Sequence, residues 1–460
     1  MSVVSSRKSA QNPYSSIPEP KKLVARLREE GGSLFDSLLL IVARVGANLL
    51  ALVWTFLLAR ILAPAEAGLV FQVMALSQIA SALLTVNVES GALRFLTGPL
   101  STGDLARASG FIRFNRRLIL ILSLPVILIL AVAVWQGGAT EGEALVPLIL
   151  TAAAAVPLIA LARMTARHAT AMGAVRYGLL PRLLSGPVVM ALGLLLIYAT
   201  GKTPSVALVL ALYALSEGIA ALIQQYLLRD RFAFLGTARA QFDDWRAWVG
   251  QGLWLSPGLV MTEYRKSLLI AAASLVLSGA DVGRFAIAFS IVNFINFGVV
   301  AVDVAFSPRI ARAMSRKDVA ERDQLLKLSA LLKLGGFVLG AALVLGFGGR
   351  VLNLFGPDYA SGKAALFILL LLPLATIIGG PSTILLSSQG QGRGDFIVNV
   401  SGAAVTLIAI VLGGTLGGLN GAVWGAVVAT AYMAGLGAWM CQRLTGIHGS
   451  PLMLIGRCAR

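Results

Sequence analysis

Apolar blocks of about 18 to 28 residues recur from one end of this 460-residue chain to the other, and that recurrence constrains the fold more than any other feature. Each block can cross roughly 30 Å of hydrocarbon as a helix, which satisfies every backbone N–H and C=O within the segment. Transmembrane β-strands would instead alternate in segments of about ten residues, a pattern the chain does not show. With 57% hydrophobic and 13% charged residues and a mean hydropathy of +0.83, the chain reads as an all-α polytopic membrane protein. About twelve spans are expected, near residues 37–61, 69–93, 118–136, 144–162, 183–200, 205–228, 249–276, 283–307, 328–348, 364–386, 396–415 and 420–441. An even number places both termini on one side.

Basic residues choose that side. Alternate segments, starting with the N-terminal tail, hold about 28 of the 38 Lys and Arg, in clusters such as Arg113, Arg116 and Arg117 or Arg309, Arg312, Arg316 and Lys317. The opposite loops hold only Lys202, Arg284, Arg350 and Lys363. Both termini are therefore expected in the cytoplasm, and the net charge of +17 reflects topology and anionic membrane lipids rather than a nucleic-acid partner. The tail has no apolar core before Leu34, so no cleaved signal peptide is expected. Its segment "PKKLVARLREE" suits either a basic surface helix or a disordered tail.

The chemistry of enzymes and pumps finds little support. Cys441 and Cys458 provide no disulfide framework or CxxC metal site, and His168 and His448 are expected in a cytoplasmic loop and the tail. No GxxxxGK[ST] motif is present, and "GQGRGD", Gly390 to Asp395, reads as a turn. No cofactor is expected.

The chain repeats itself. "ILAPAEAGLVFQVMALS" (Ile61–Ser77) aligns with "VLSGADVGRFAIAFSIV" (Val276–Val292), setting Glu66 against Asp281, Gly68 against Gly283 and, further on, Arg94 against Arg309. The expected domains are a cytoplasmic tail (1–33), a six-helix bundle (34–228), a cytoplasmic linker (229–248), a second six-helix bundle (249–442) and a C-terminal tail (443–460). Parallel repeats of this kind are related by an axis along the membrane normal.

Polar stripes interrupt the apolar spans. In "SPGLVMTEYRKSLLIAAASLVL" (Ser256–Leu277) a continuous helix would set Glu263, Arg265 and Lys266 on one arc of roughly 160°, with Tyr264 opposite. Ser37, Arg44, Asn48 and Thr55 share a face of span 1; Gln78, Ser81, Thr85 and Glu89 one of span 2; Asn293, Asn296 and Asp303 one of span 8. An ionisable group at mid-bilayer costs at least about 2.5 kcal/mol, so such groups face a watery cavity or one another. The second option would pair Glu263 with Lys266 and Arg44 with Glu89. Arg94 and Asp303 lie close enough to the cytoplasmic face to snorkel. Glu217, alone in span 6, suits a bundle hydrogen bond better than proton coupling. Pro181, Pro187 and Pro257 are candidate helix bends.

Several stretches resemble bacterial polysaccharide flippases of the multidrug, oligosaccharidyl-lipid and polysaccharide exporter superfamily. They are "LLARILAPAEAGLVFQVMALSQIASALLTVNVESGALRFL", with its Pro-x-x-x-Gly turn, and "TEYRKSLLIAAASLVLSGADVGRFAIAFSIVNFINFGVVAVDVAFSPRIARAM", closing on Phe-x-Pro-Arg. "VLNLFGPDYASGKAALFILLLLP" and "LNGAVWGAVVATA" resemble the family's tenth and twelfth spans. The resemblance implies two six-helix bundles around a central cleft. It also implies transfer of an undecaprenyl-pyrophosphate-linked oligosaccharide across the bacterial inner membrane, for exopolysaccharide, capsule or lipopolysaccharide O-antigen assembly. A polysaccharide polymerase and chain-length regulators would be its partners. The family often carries Asn and Asp where this chain has Glu263 and Arg265.

Chemistry fits such a cargo. Arg44, Arg265 and Lys266 suit its pyrophosphate, Arg through bidentate hydrogen bonds and Lys as a point charge. Asn48, Gln78, Thr85, Asn293 and Asn296 suit sugar hydroxyls, and Glu89, Glu217, Glu263 or Asp303 could carry a coupling H+ or Na+. A multidrug or cation antiporter of the same superfamily would want an acid-dominated cavity. A lipid II flippase would want further helices, and a membrane polysaccharide polymerase or ligase a large external loop with catalytic Arg or His.

Overall fold

The computed structural model describes residues 34–136, 145–236, 238–382, 385–386, 389 and 391–446. The N-terminal tail, His448 and Cys458 lie outside the described residues. The first half of the chain forms α1 (Leu34–Ile61), α2 (Pro64–Thr85), α3 (Leu105–Gln136), α4 (Leu145–Ala171), α5 (Val175–Ala199) and α6 (Val206–Gly236). The second forms α7 (Trp245–Thr262), α8 (Arg265–Ser274), α9 (Gly279–Ser315), α10 (Val319–Phe355), α11 (Lys363–Leu369), α12 (Leu371–Gly379) and α13 (Gly392–Thr445), with short turns between. No strand occurs among the described residues.

Among the described residues eight segments are both long and apolar enough to cross a bilayer, with further helices beside them, so this is an all-α multi-pass membrane protein. Its outer face agrees: on α3, Leu120, Leu124 and Leu128 share one side and are 76%, 76% and 65% exposed, as lipid-facing leucines are. The last long helix, α13, is two helices joined at a kink where Gly417 and Gly418 leave helical geometry. Its arms fold back in contact through glycine. A Cβ on Gly413 would lie 2.1 Å from the Gly421 carbonyl, and one on Gly425 the same distance from that of Ala409.

Matching helices start at matching places in the two halves, and for physical reasons that also match. Pro64 opens α2 where φ is already set for a helix, and the Glu66 carboxylate accepts from the backbone N–H of Ala63 at 3.1 Å. Its repeat partner α9 is capped by Ser278, whose hydroxyl accepts from the Asp281 N–H at 3.2 Å. Packing follows the same plan. α2 rests on α3 and α4 as α9 rests on α10 and α11, and α1 rests on α5 as α7 rests on the first arm of α13.

The halves meet most closely where α2 and α9 begin. A Cβ on Gly68 would sit 1.9 Å from the Gly279 carbonyl oxygen, and one on Gly283 would sit 2.2 Å from that of Pro64. Since Pro64 aligns with Gly279 and Gly68 with Gly283, the contact is reciprocal, as a two-fold relation between repeats requires. Phe56 meets Phe355 edge to face, with centroids 5.4 Å apart, and the Tyr359 hydroxyl donates to the Leu62 carbonyl at 3.4 Å, at this same end. The opposite end holds the connector. α6 runs on to Gly236 and α7 starts at Trp245, so most of the linker expected at 229–248 is helix. Its remaining turn is tied to α3: Arg113 donates to the Gly236 carbonyl at 2.8 Å, and Gln241 N–H to that of Ala106 at 3.1 Å.

Candidate functional site

The seventh span is broken where its charges lie. α7 ends at Thr262 and α8 starts at Arg265, with Glu263 and Tyr264 between them at φ −94° and −110°. The single helical arc expected for Glu263, Arg265 and Lys266 is therefore replaced by a divergence, in which each side chain leaves toward a different helix.

Glu263 turns to the first half, where it pairs with Arg167 of α4 and lies 3.9 Å from Arg182 of α5. Tyr264 is buried, and its hydroxyl accepts from Arg163 of α4. Arg265 turns to the second half and donates to the hydroxyl of Thr430 on α13. Lys266 lies between the halves, donating to Ser290 of α9 at 3.0 Å with its ammonium 5.7 Å from the Phe71 ring of α2. Among the described residues, no carboxylate comes within ion-pair distance of either Arg265 or Lys266.

Beneath this break lies a sealed knot. Arg163 and Glu89 are both wholly buried, with Nε 2.8 Å from Oε1. The N–H is not aimed along that contact, so both Glu89 oxygens lack a directed hydrogen bond and the pair is held by charge. Arg163 spends its other donors on the Ser81 carbonyl at 3.2 Å, on Thr85 Oγ1 and on Tyr264. Thr85 thus belongs to this knot, which ties α2, α4 and the break together.

The ion pairs differ from those expected. Glu89 takes Arg163 rather than Arg44, and Glu263 takes Arg167 rather than Lys266. Asp303 of α9 takes Lys333 of α10 at 2.8 Å, with the Lys333 side chain 1% exposed, so it is held inside the bundle. Arg44 is exposed on α1, and Asn48 donates to its carbonyl at 2.8 Å, a bond within one helix. Gln78 donates to the buried Tyr213 hydroxyl at 2.8 Å. Asn293 and Asn296 are half-buried on α9, about one and two turns beyond Ser290. Glu217 is half-buried on α6, with Arg182 in electrostatic reach and, among the described residues, no cation within ion-pair distance. His168, expected in a loop, sits instead in the last turn of α4, 1% exposed and packed on Phe111. Among the described residues no His, Cys, Asp and Glu cluster could hold a metal ion.

Arg163, Arg167, Arg182 and Lys333 were absent from the sequence candidates. A signal existed: hydropathy closes span 4 at 162 and opens span 5 at 183, just where basic residues begin, while α4 runs to Ala171 and α5 starts at Val175. Counting those arginines as loop charges hid them.

No protein-family model matches this chain, and no curated protein matches it. Solved structures do. An inward-facing multidrug resistance MATE family transporter of the MOP superfamily superposes with a TM-score of 0.69 at 17% identity, covering 90% of this chain and 99% of that one. A MATE structure in complex with MaL6 gives 0.60 at 16%, covering 95% and 98%. An outward-facing MATE transporter of the same superfamily gives 0.59 at 16%, covering 95% and 97%. The chain has the fold of these transporters.

Proposed function

We propose that this protein is a flippase that carries an anionic, lipid-linked oligosaccharide between leaflets of the bacterial inner membrane by alternating access. The observation that carries the proposal is the pair Arg265 and Lys266. Two cations adjacent in sequence leave a helix break between the halves, each hydrogen-bonded to a hydroxyl and, among the described residues, with no carboxylate within ion-pair distance. Leaving cations uncompensated at that depth costs stability, and a pyrophosphate is the kind of partner that recovers it. Ser290, which touches Lys266, and the half-buried Asn293 and Asn296 further along α9 supply donors and acceptors suited to sugar hydroxyls.

Transport by rocking of the bundles 34–228 and 249–442 is supported by the fold, and the glycine contact at the α2 and α9 starts supports a state closed at that end. Under the positive-inside rule the opposite, arginine-rich end is cytoplasmic, so the conformation reads as inward-facing. A rival reading, a multidrug or cation antiporter, is favoured by Glu217, a half-buried acid with no ion pair among the described residues.

The test compares lipid-linked oligosaccharide and surface polysaccharide in cells lacking the protein and in cells restored with wild type or with Arg265→Ala and Lys266→Ala together. Lipid-linked units should accumulate, and surface polymer vanish, in the deletion and in the well-expressed double variant. Full export by the double variant would remove the cationic site from the mechanism. A deletion that leaves both pools intact while drug tolerance falls would favour the antiporter.

A further inference from the structure

Two arginine–carboxylate clusters flank the break of span 7, and they differ in one physical respect. Glu89 and Arg163 are each 0% exposed, whereas Arg167, Glu263 and Arg182 are 39%, 30% and 28% exposed. A sealed pair cannot exchange partners without unfolding its surroundings. An ion pair reached by water gains little over its hydrated parts, so another anion can replace either member. Arg167 comes from α4 and Arg182 from α5, and the two converge on one carboxylate that belongs to neither helix. The geometry is that of a two-arginine anion site whose occupant is part of the chain.

We propose that Arg167 and Arg182 form an anion subsite separate from Arg265 and Lys266, filled in this conformation by the Glu263 carboxylate and taken over by a phosphate- or carboxylate-bearing headgroup. Glu263 is the resident counter-ion, and an arriving anion competes with it. Guanidinium forks suit this exchange because a carboxylate and a phosphate present similar paired oxygens. The displaced residue sits on the break between α7 and α8, the segment that touches both halves, so occupancy of the subsite bears directly on that break. A ligand that releases Glu263 thereby acquires a preference between conformations, which is what cargo must have to drive a transport cycle.

The inference rests on the reading that the cargo is anionic, and it is tested without reference to any glycan. Purified full-length protein in lipid nanodiscs is titrated calorimetrically with inorganic pyrophosphate and, in parallel, with farnesyl pyrophosphate. The forms compared are wild type, Glu263→Gln, and Glu263→Gln combined with Arg167→Gln and Arg182→Gln. Glu263→Gln should bind about tenfold more tightly than wild type, since a like charge has left the site. The triple variant should lose that gain. If it does not fold, Arg167→Lys with Arg182→Lys on the Glu263→Gln background should keep part of the gain. Improvement with both ligands assigns recognition to the diphosphate itself, and improvement with the prenylated one alone assigns it to a lipid-borne headgroup. Glu263→Gln binding neither ligand more tightly, or a gain that survives loss of both arginines, would overturn the subsite. Failure of the flippase reading would show instead in the cellular pools, with this titration unaffected.

Discussion

The two halves of the chain share a backbone plan and differ in their charges. The alignment that sets Pro64 against Gly279 and Gly68 against Gly283 also matches the starts of α3 and α10, and of α5 and the first arm of α13. In that register Arg163, Arg167 and Arg182 of the first half face Ile378, Ser382 and Ile397 of the second, while Arg265 and Lys266 face Leu50 and Ala51. Each half has furnished its scaffold afresh. Around the break of span 7, the cations supplied by the first half, Arg163 and Arg167, are matched by acids, whereas those supplied by the second, Arg265 and Lys266, are matched by hydroxyls. A symmetric frame with an asymmetric lining presents different charged partners from its two sides.

The largest effect expected from breaking this contrast lies in the sealed knot. Arg163→Ala leaves Glu89 buried without a counter-charge and should cost about 3–5 kcal/mol, read as a large fall in thermal unfolding temperature in detergent. In the second half, Lys333→Ala should cost less, about 1–3 kcal/mol, because Asp303 is 20% exposed and water can take over part of its solvation. Equal losses would show that burial does not separate the two pairs.

Next in size is the glycine contact, where the halves should behave alike. Gly68→Val and Gly283→Val each drive a side chain into the opposite backbone, at 1.9 and 2.2 Å for the Cβ alone. Each should destabilise the closed end by about 1–3 kcal/mol, and the double variant should cost less than the two together, since both relieve themselves by the same separation. Spin labels at the starts of α2 and α9 would report longer distances in all three. A change confined to one glycine would break the reciprocity on which the repeat rests.

How much of this was legible follows from the same contrast. Hydropathy and the repeated acidic turn display the scaffold, because lipid demands long apolar helices and the turn chemistry of Glu66 and Asp281 is local. The lining was legible only in part. The charges of span 7 stood out against their apolar surroundings, but the wheel that grouped them assumed an unbroken helix, and the side chains at the break between Thr262 and Arg265 reach partners on α2, α4, α5, α9 and α13 that lie far away in sequence. Partner choice was hidden for a second reason. The ion pair and the hydrogen bond between α4 and the break join residues about a hundred positions apart, and no helical period connects them.

The smallest effect expected is also the one that separates structure from function most cleanly. Arg265 and Lys266 keep their hydroxyl partners but have no carboxylate within ion-pair distance among the described residues, so part of the cost of desolvating each charge is unrecovered. Replacing Lys266 by Met keeps most of its volume and its contact with Phe71 while removing that charge, and should raise stability by about 1 kcal/mol. Arg265→Met should do the same, because Thr430 retains its bond to the Ala426 carbonyl at 2.7 Å, as Ser290 retains its bond to that of Ala286 at 2.7 Å, and neither hydroxyl is orphaned. Both variants should export poorly, and so gain stability while losing activity, as residues kept for binding do. The measurement is thermal unfolding beside surface-polymer yield. A Lys266→Met protein that is less stable and fully active would make the ammonium a structural tie to Ser290, and the lining of the second half would then resemble that of the first.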